Sequence, residues 1–164
     1  MKFASANDLN RWIDTLTKDY EVIGPQKVNE RVLYKPVTRS TQIAWRFGKS
    51  ITPIKEFFFY PTEQLLTIIR DGQDVTIRES LQSVPRVILG VRPCDAHGIQ
   101  VLDALFIETL PADPQYQAHR ENTILIGLAC ETTEPTCFCT SVGGAPNSPD
   151  GLDILLTRTE DGFI

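Results

Sequence analysis

The spacing of hydrophobic residues changes twice along the chain. In ANDLNRWIDTLTKDY, Leu9, Trp12, Ile13 and Leu16 recur at i, i+3, i+4 and i+7. That period predicts an amphipathic helix packed by one face, with Ser5 or Asn7 placed to cap its first turn. Short β-rich runs follow, RVLYKPV and TQIAWRFG, separated by Gly and Pro, and then KEFFFYPTEQLL. Together they predict a meandering antiparallel sheet. TIIRDGQDVTIRE sets the turn residues Asp71, Gly72 and Gln73 between two runs rich in Ile, Val and Thr, which is a hairpin signal.

From Pro85 onward the pattern is different. RVILGV is a continuous apolar run of the kind covered on both faces, and CDAHGIQVLDALF after it keeps a helical period at Ile99, Leu102 and Phe106. A second apolar run, NTILIGLAC, follows a connection containing Pro and Asp. Residues 85–130 therefore read as a strand-helix-strand unit with loops at the C-terminal ends of its strands. The expected fold is α/β, α+β overall: residues 1–83 form a helix plus β-meander subdomain, and residues 84–164 a cysteine-containing subdomain with a parallel strand pair. LDILLTRTEDGFI reads as a strand, a turn at Glu160-Asp161-Gly162 and two residues of a returning strand. So short a return leaves the first strand with an open edge, and the expectation is of the front part of a longer polypeptide.

Composition narrows the classes. Sixteen Lys and Arg against 21 Asp and Glu give a formal net charge of -5, with no basic field of the kind that draws proteins to nucleic acid. No run approaches the ~18 apolar residues of a spanning helix. MKFASANDLNRW lacks the features of a secretory signal, so the expected location is cytoplasmic, where structural disulfides are uncommon. There is no P-loop, HExxH or Ser-His-Asp pattern, and the two glycines of GVRPCDAHG do not match a dinucleotide fingerprint.

Chemistry concentrates in four cysteines: Cys94 in GVRPCDAHG, and Cys130, Cys137 and Cys139 in CETTEPTCFCTS. Four thiols match the ligand count of a 4Fe-4S cluster or a structural zinc site, although the spacing is that of neither bacterial ferredoxins nor zinc ribbons. Two of the cysteines end adjacent strands on one edge and two lie on the following loop, so all four can converge. Buried apolar cysteines, a Cys130 to Cys137 disulfide and a single activated Cys94 remain as alternatives. Cys94 opens a helix, whose free N–H groups are expected to favour its thiolate.

Around these residues, Asp95 is a candidate cap of the same helix, and His97, one turn on, a candidate tuning group or substitute ligand. Arg92 and Arg120 offer positive charge or partners for nearby carboxylates. Ser141, Gly143 and Gly144 offer hydrogen bonds to sulfur or serve only the turn, and a surface or packing role is the first expectation for His97 and still more for His119. The FFFY run, residues 57–60, reads as core in preference to docking surface.

IKEFFFYPTEQLL, GVRPCDAHGIQVLDALF, YQAHRENTILIGLACETTEPTCFCTSVGG and SPDGLDILLT resemble the N-terminal half of a family of iron-sulfur electron-transfer subunits. Its members serve nickel-iron sulfhydrogenases, as their beta subunit, as well as anaerobic sulfite reductases and heterodisulfide reductases. The resemblance runs from about residue 54 onward. It implies that Cys94, Cys130, Cys137 and Cys139 hold a 4Fe-4S cluster, with Arg92, Asp95, His97 and Ser141 as the candidate neighbours around its ligands. It also implies flavin-containing and catalytic partner subunits. The family's ferredoxin-like module, with two CxxCxxCxxxCP runs, has no counterpart in these 164 residues, so the activity of that module is not assigned to them.

Overall fold

The computed structural model describes residues 2–81 and 83–164. Strand β1 (Ala4–Ser5) leads into helix α1 (Ala6–Leu16), whose N-cap is Ser5, its hydroxyl oxygen accepting the Asp8 N–H at 3.1 Å. Leu9 and Ile13 form the buried stripe that the period predicts. Next come β2 (Glu21–Val28), β3 (Arg31–Pro36) and the hairpin β4 (Leu66–Asp71) and β5 (Asp74–Glu79). The chain continues through β6 (Arg86–Val91), helix α2 (Pro93–Asp103), helix α3 (Pro114–Glu121), β7 (Thr123–Leu128), β8 (Ile154–Leu156) and β9 (Gly162–Phe163).

One five-stranded sheet organises the molecule, in the order β3-β2-β6-β7-β8. β2 and β3 are antiparallel, while β2, β6, β7 and β8 run parallel. The protein is thus a mixed α+β fold, and its sheet draws strands from both sides of residue 83. α1 packs on one face through Leu9 and Ile13 against Val22, Val87, Leu89 and Ile126. The other face carries Ile23, Ile88 and Leu125 under Ala96 and Ile99 of α2 and Tyr116 of α3. Cover on both faces is why every residue of β6 is buried and why its sequence does not alternate.

Several expectations need correction. TQIAWRFG has the strand period but makes no ladder: Ser40–Gln42 is a tight helical turn, and the following residues run irregularly across the sheet end. Alternation there records inward anchoring, with Ile43 buried and Trp45 and Phe47 packed on the same core. Ile54–Phe57 also forms a tight helical turn, with Phe58 buried at its end and Phe59 stacked 5.0 Å from the Tyr116 ring. Of the FFFY run, Phe58 is core, Phe57 and Tyr60 are half-buried and Phe59 is exposed. α3 was hidden in the connection after α2; its N-cap is Asp113, whose carboxylate accepts the N–H groups of Gln115 and Tyr116, and Pro114 occupies the first turn. β8 is, as expected, an edge strand, paired on one side with β7, while the short return β9 pairs with β1 and meets the segment after β8 only at the Arg158–Phe163 bridge.

β6 carries an irregularity between Leu89 and Val91. Gly90 takes φ +71° there, and the buried Tyr34 hydroxyl donates to its carbonyl at 2.7 Å. Such a bulge redirects the end of a strand. Here the redirected residues are Arg92 and Cys94.

Candidate functional site at the C-terminal strand edge

α2 begins as soon as β6 ends, with Arg92 as N-cap and Pro93 in the first turn. Cys94 therefore sits at the helix start beyond the C-terminal end of β6. Cys130 follows β7 on the same sheet edge, its N–H donating to the Pro146 carbonyl at 2.9 Å and so closing the long loop on itself. Within the loop the Cys137 sulfur accepts the Glu134 N–H at 3.2 Å. Cys139 opens a short helical turn, Cys139–Val142, which Gly143 ends at φ +80°; the Gly144 N–H then returns to the Cys139 carbonyl at 2.9 Å. A side chain at Gly144 would press on that carbonyl at 3.2 Å, so both glycines serve the turn that presents Cys139.

All four cysteines are free thiols, Cys94 and Cys137 exposed and Cys130 and Cys139 half-buried. The structure brings three of them together electrostatically. The Cys94 thiol is pushed up from the ordinary thiol range, first by loss of water around its sulfur, then by negative charge at Asp95, Cys130 and Cys139; a backbone hydrogen bond at Asp95 opposes this. The residue as a whole is exposed, so the desolvation is local to the sulfur. The expected helix-start activation of Cys94 is outweighed, which corrects the sequence reading. Cys137 is not among the groups acting on Cys94.

Asp95 does not cap α2, since no side chain accepts from that helix start. Burial raises its pKa, against the positive charges of Arg92 and Lys49. His97 lies on the exposed side of α2, and Ser141 is exposed in the turn after Cys139, its N–H donating to the Phe138 carbonyl at 2.9 Å. Arg120 belongs elsewhere: its Nε donates to Asp103 Oδ2 at 3.0 Å. His119 is buried and meets Glu63 at 2.5 Å, at the opposite end of the molecule.

A strap over the cysteine loop was not legible in sequence. The Arg92 guanidinium donates to the Phe47 and Gly48 carbonyls, the latter at 2.9 Å, and lies 4.3 Å over the Phe47 ring. Lys49 Nζ donates to the Thr136 hydroxyl. Segment 46–49, from the first half of the chain, is thus tied at one end to the N-cap of α2 and at the other to the cysteine loop. Beside it opens a cleft of about 400 Å³ lined by Trp45, Phe47, Arg92, Ala129, Glu131 and Arg158, among others. Glu131 and Arg158 close its rim at 2.7 Å, while Arg92 Nε is buried without a partner.

The four free thiols are of the donor type that iron-sulfur clusters take, and Cys130 and Cys139 act by their charge on Cys94. Among the described residues, no three His, Cys, Asp or Glu side chains are gathered tightly enough to hold a single metal ion. A cubane cluster asks for a wider arrangement, because its four ligating sulfurs sit at the outer corners of the cube, farther apart than the thiolates around one ion.

Fold and site together define an α+β domain that presents cysteines at the C-terminal edge of its parallel strands. The chain is 32% identical over 143 residues to the sulfhydrogenase 2 subunit beta of Pyrococcus furiosus, and the match takes in 87% of this chain and 41% of that protein. Over this region the similarity supports a sulfhydrogenase beta-like family, and the chain spans less than half the length of that relative. No family model and no solved structure matches. Among the described residues no helix is long and apolar enough to cross a membrane.

Proposed function

We propose that this domain belongs to an electron-transfer subunit of a multisubunit oxidoreductase and holds a 4Fe-4S cluster on Cys94, Cys130, Cys137 and Cys139. The observation that carries the reading is the placing of Cys94 and Cys130 beyond the C-terminal ends of the adjacent parallel strands β6 and β7, with Cys137 and Cys139 on the loop that follows. Kinship to a sulfhydrogenase beta subunit supports it. When bound, the cluster supplies one-electron transfer. The chain's own part is positional. The loop bonds of Cys130 and Gly144 hold the backbone at two thiols, Arg92 and Lys49 bring positive charge to Asp95 beside Cys94, and segment 46–49 ties the start of α2 to the cysteine loop. Flavin-containing and catalytic subunits are the proposed partners, and no bond of a substrate is made or broken here.

Anaerobic purification and reconstitution, followed by iron and acid-labile sulfide analysis and EPR after reduction with dithionite, tests the proposal. About four iron and four sulfide per chain are expected, with the signal of a reduced cluster. Each Cys→Ser variant should lose that stoichiometry. Undiminished iron in both Cys137→Ser and Cys139→Ser removes those residues from the ligand set. Absence of iron and sulfide from the reconstituted wild type leaves a cluster-free docking domain as the better account.

A further inference from the structure

The β4–β5 hairpin presents a surface that the cluster reading does not use. Its register pairs Leu66 with Glu79, Ile68 with Ile77 and Arg70 with Val75, placing these six on one face. Thr67, Ile69, Asp71, Asp74, Thr76 and Arg78 share the other. A hairpin laid against a protein is expected to turn its apolar face inward, and this one leaves that face, like nearly all of its other face, in solvent. Leu66 is 51% exposed, Ile68 66%, Val75 58% and Ile77 61%. The one half-buried residue of the hairpin is Thr67, on the polar face, whose hydroxyl accepts from Gln64 Nε2 at 2.9 Å. β4 and β5 pair only with each other. A two-stranded ribbon is marginal in water unless something packs on it, and a contiguous apolar face of this kind marks an interface.

We propose that this face docks on the same face of a second copy of the chain. A symmetric interface requires a patch complementary to itself, and the charges provide one. Arg70 and Glu79 stand at diagonally opposite corners of the face, with Ile68 and Ile77 between them. A two-fold axis in the interface, perpendicular to that diagonal, sets each Arg70 over the other copy's Glu79 and meets Ile68 with Ile68 and Ile77 with Ile77. The strands of the two hairpins then cross at a shallow angle, on the order of the 30° found in aligned sheet packing.

Sedimentation equilibrium of the full chain under reducing conditions, across a concentration series, tests this. The wild type should self-associate. Ile68→Asp should be monomeric. Arg70→Glu and Glu79→Arg should each raise the dissociation constant, on the order of tenfold, by placing like charges opposite one another. The double reversal should recover the wild-type value. Circular dichroism of each variant establishes that it is folded, and these exposed positions carry no core packing to lose. A wild type that remains monomeric throughout, or folded single reversals that associate as well as wild type, overturns the proposal and assigns the face to a different partner.

Discussion

Gly90→Ala tests how the backbone aims the candidate site. Gly90 holds φ +71° at the irregularity that ends β6, and a Cβ built there would meet Pro25 Cγ at 3.0 Å and Pro25 Cδ at 3.2 Å. The left-handed conformation costs an alanine about 1–2 kcal/mol. The contact adds about 1–3 kcal/mol, because Pro25 is a rigid ring held within β2 and has little room to retreat. Reduced freedom of the unfolded chain returns about 0.4–1 kcal/mol. The net loss is about 1–4.5 kcal/mol, which for a domain of this size lowers the melting temperature by about 2–4 °C per kcal/mol in calorimetry. Gly98→Ala is the internal comparison. Gly98 lies within α2, and a Cβ added to it would meet nothing within 4 Å, so alanine should stabilise by about 0.5–1 kcal/mol. If Gly90→Ala melts at or above the wild-type temperature, the reasoning about strain at the bulge is wrong.

Two more predictions concern the opposite end and the first helix. Arg86 is buried and donates to Glu21 Oε2 at 2.7 Å, to the Phe57 carbonyl at 2.8 Å and to the Tyr60 hydroxyl. Arg86→Met strands the last two acceptors while Glu21 regains water, and should cost about 2–4 kcal/mol; a fall in the urea midpoint worth less than ~1 kcal/mol would count against a structural role. Asp8 has its pKa lowered by hydrogen bonds from Ser5 and Arg11. Its contribution is present above the ordinary carboxylate pKa and lost as the pH falls through the lowered value. Asp8→Asn should therefore melt below wild type at neutral pH and converge with it in strong acid, and a constant gap at all pH values would refute the linkage.

Local rules made part of this molecule legible. The period of Leu9, Ile13 and Leu16 and the cap at Ser5 are contained within a dozen residues, as is the turn chemistry of the β4–β5 hairpin. Continuous apolar runs at residues 86–91 and 123–128 announced strands with two covered faces. The same kind of reading failed at TQIAWRFG, where alternation meant anchoring without a ladder, and at α3, whose mostly polar sequence buries Tyr116 and His119 and gives a weak periodic signal.

The sequence by itself determined the two apolar strands, the helix between them and the placing of Cys94 and Cys130 at the ends of those strands, because each follows from side-chain pattern over a few residues. The tertiary structure alone decided what surrounds those thiols. Arg92 reaches back to carbonyls 44 and 45 positions earlier, and Lys49 meets Thr136 across 87 positions. Such contacts depend on which faces the sheet leaves open, and no local periodicity encodes them. The direction of the Cys94 shift has the same origin: helix position argues for activation, while desolvation and the charges of Cys130 and Cys139, which only folding brings near, prevail.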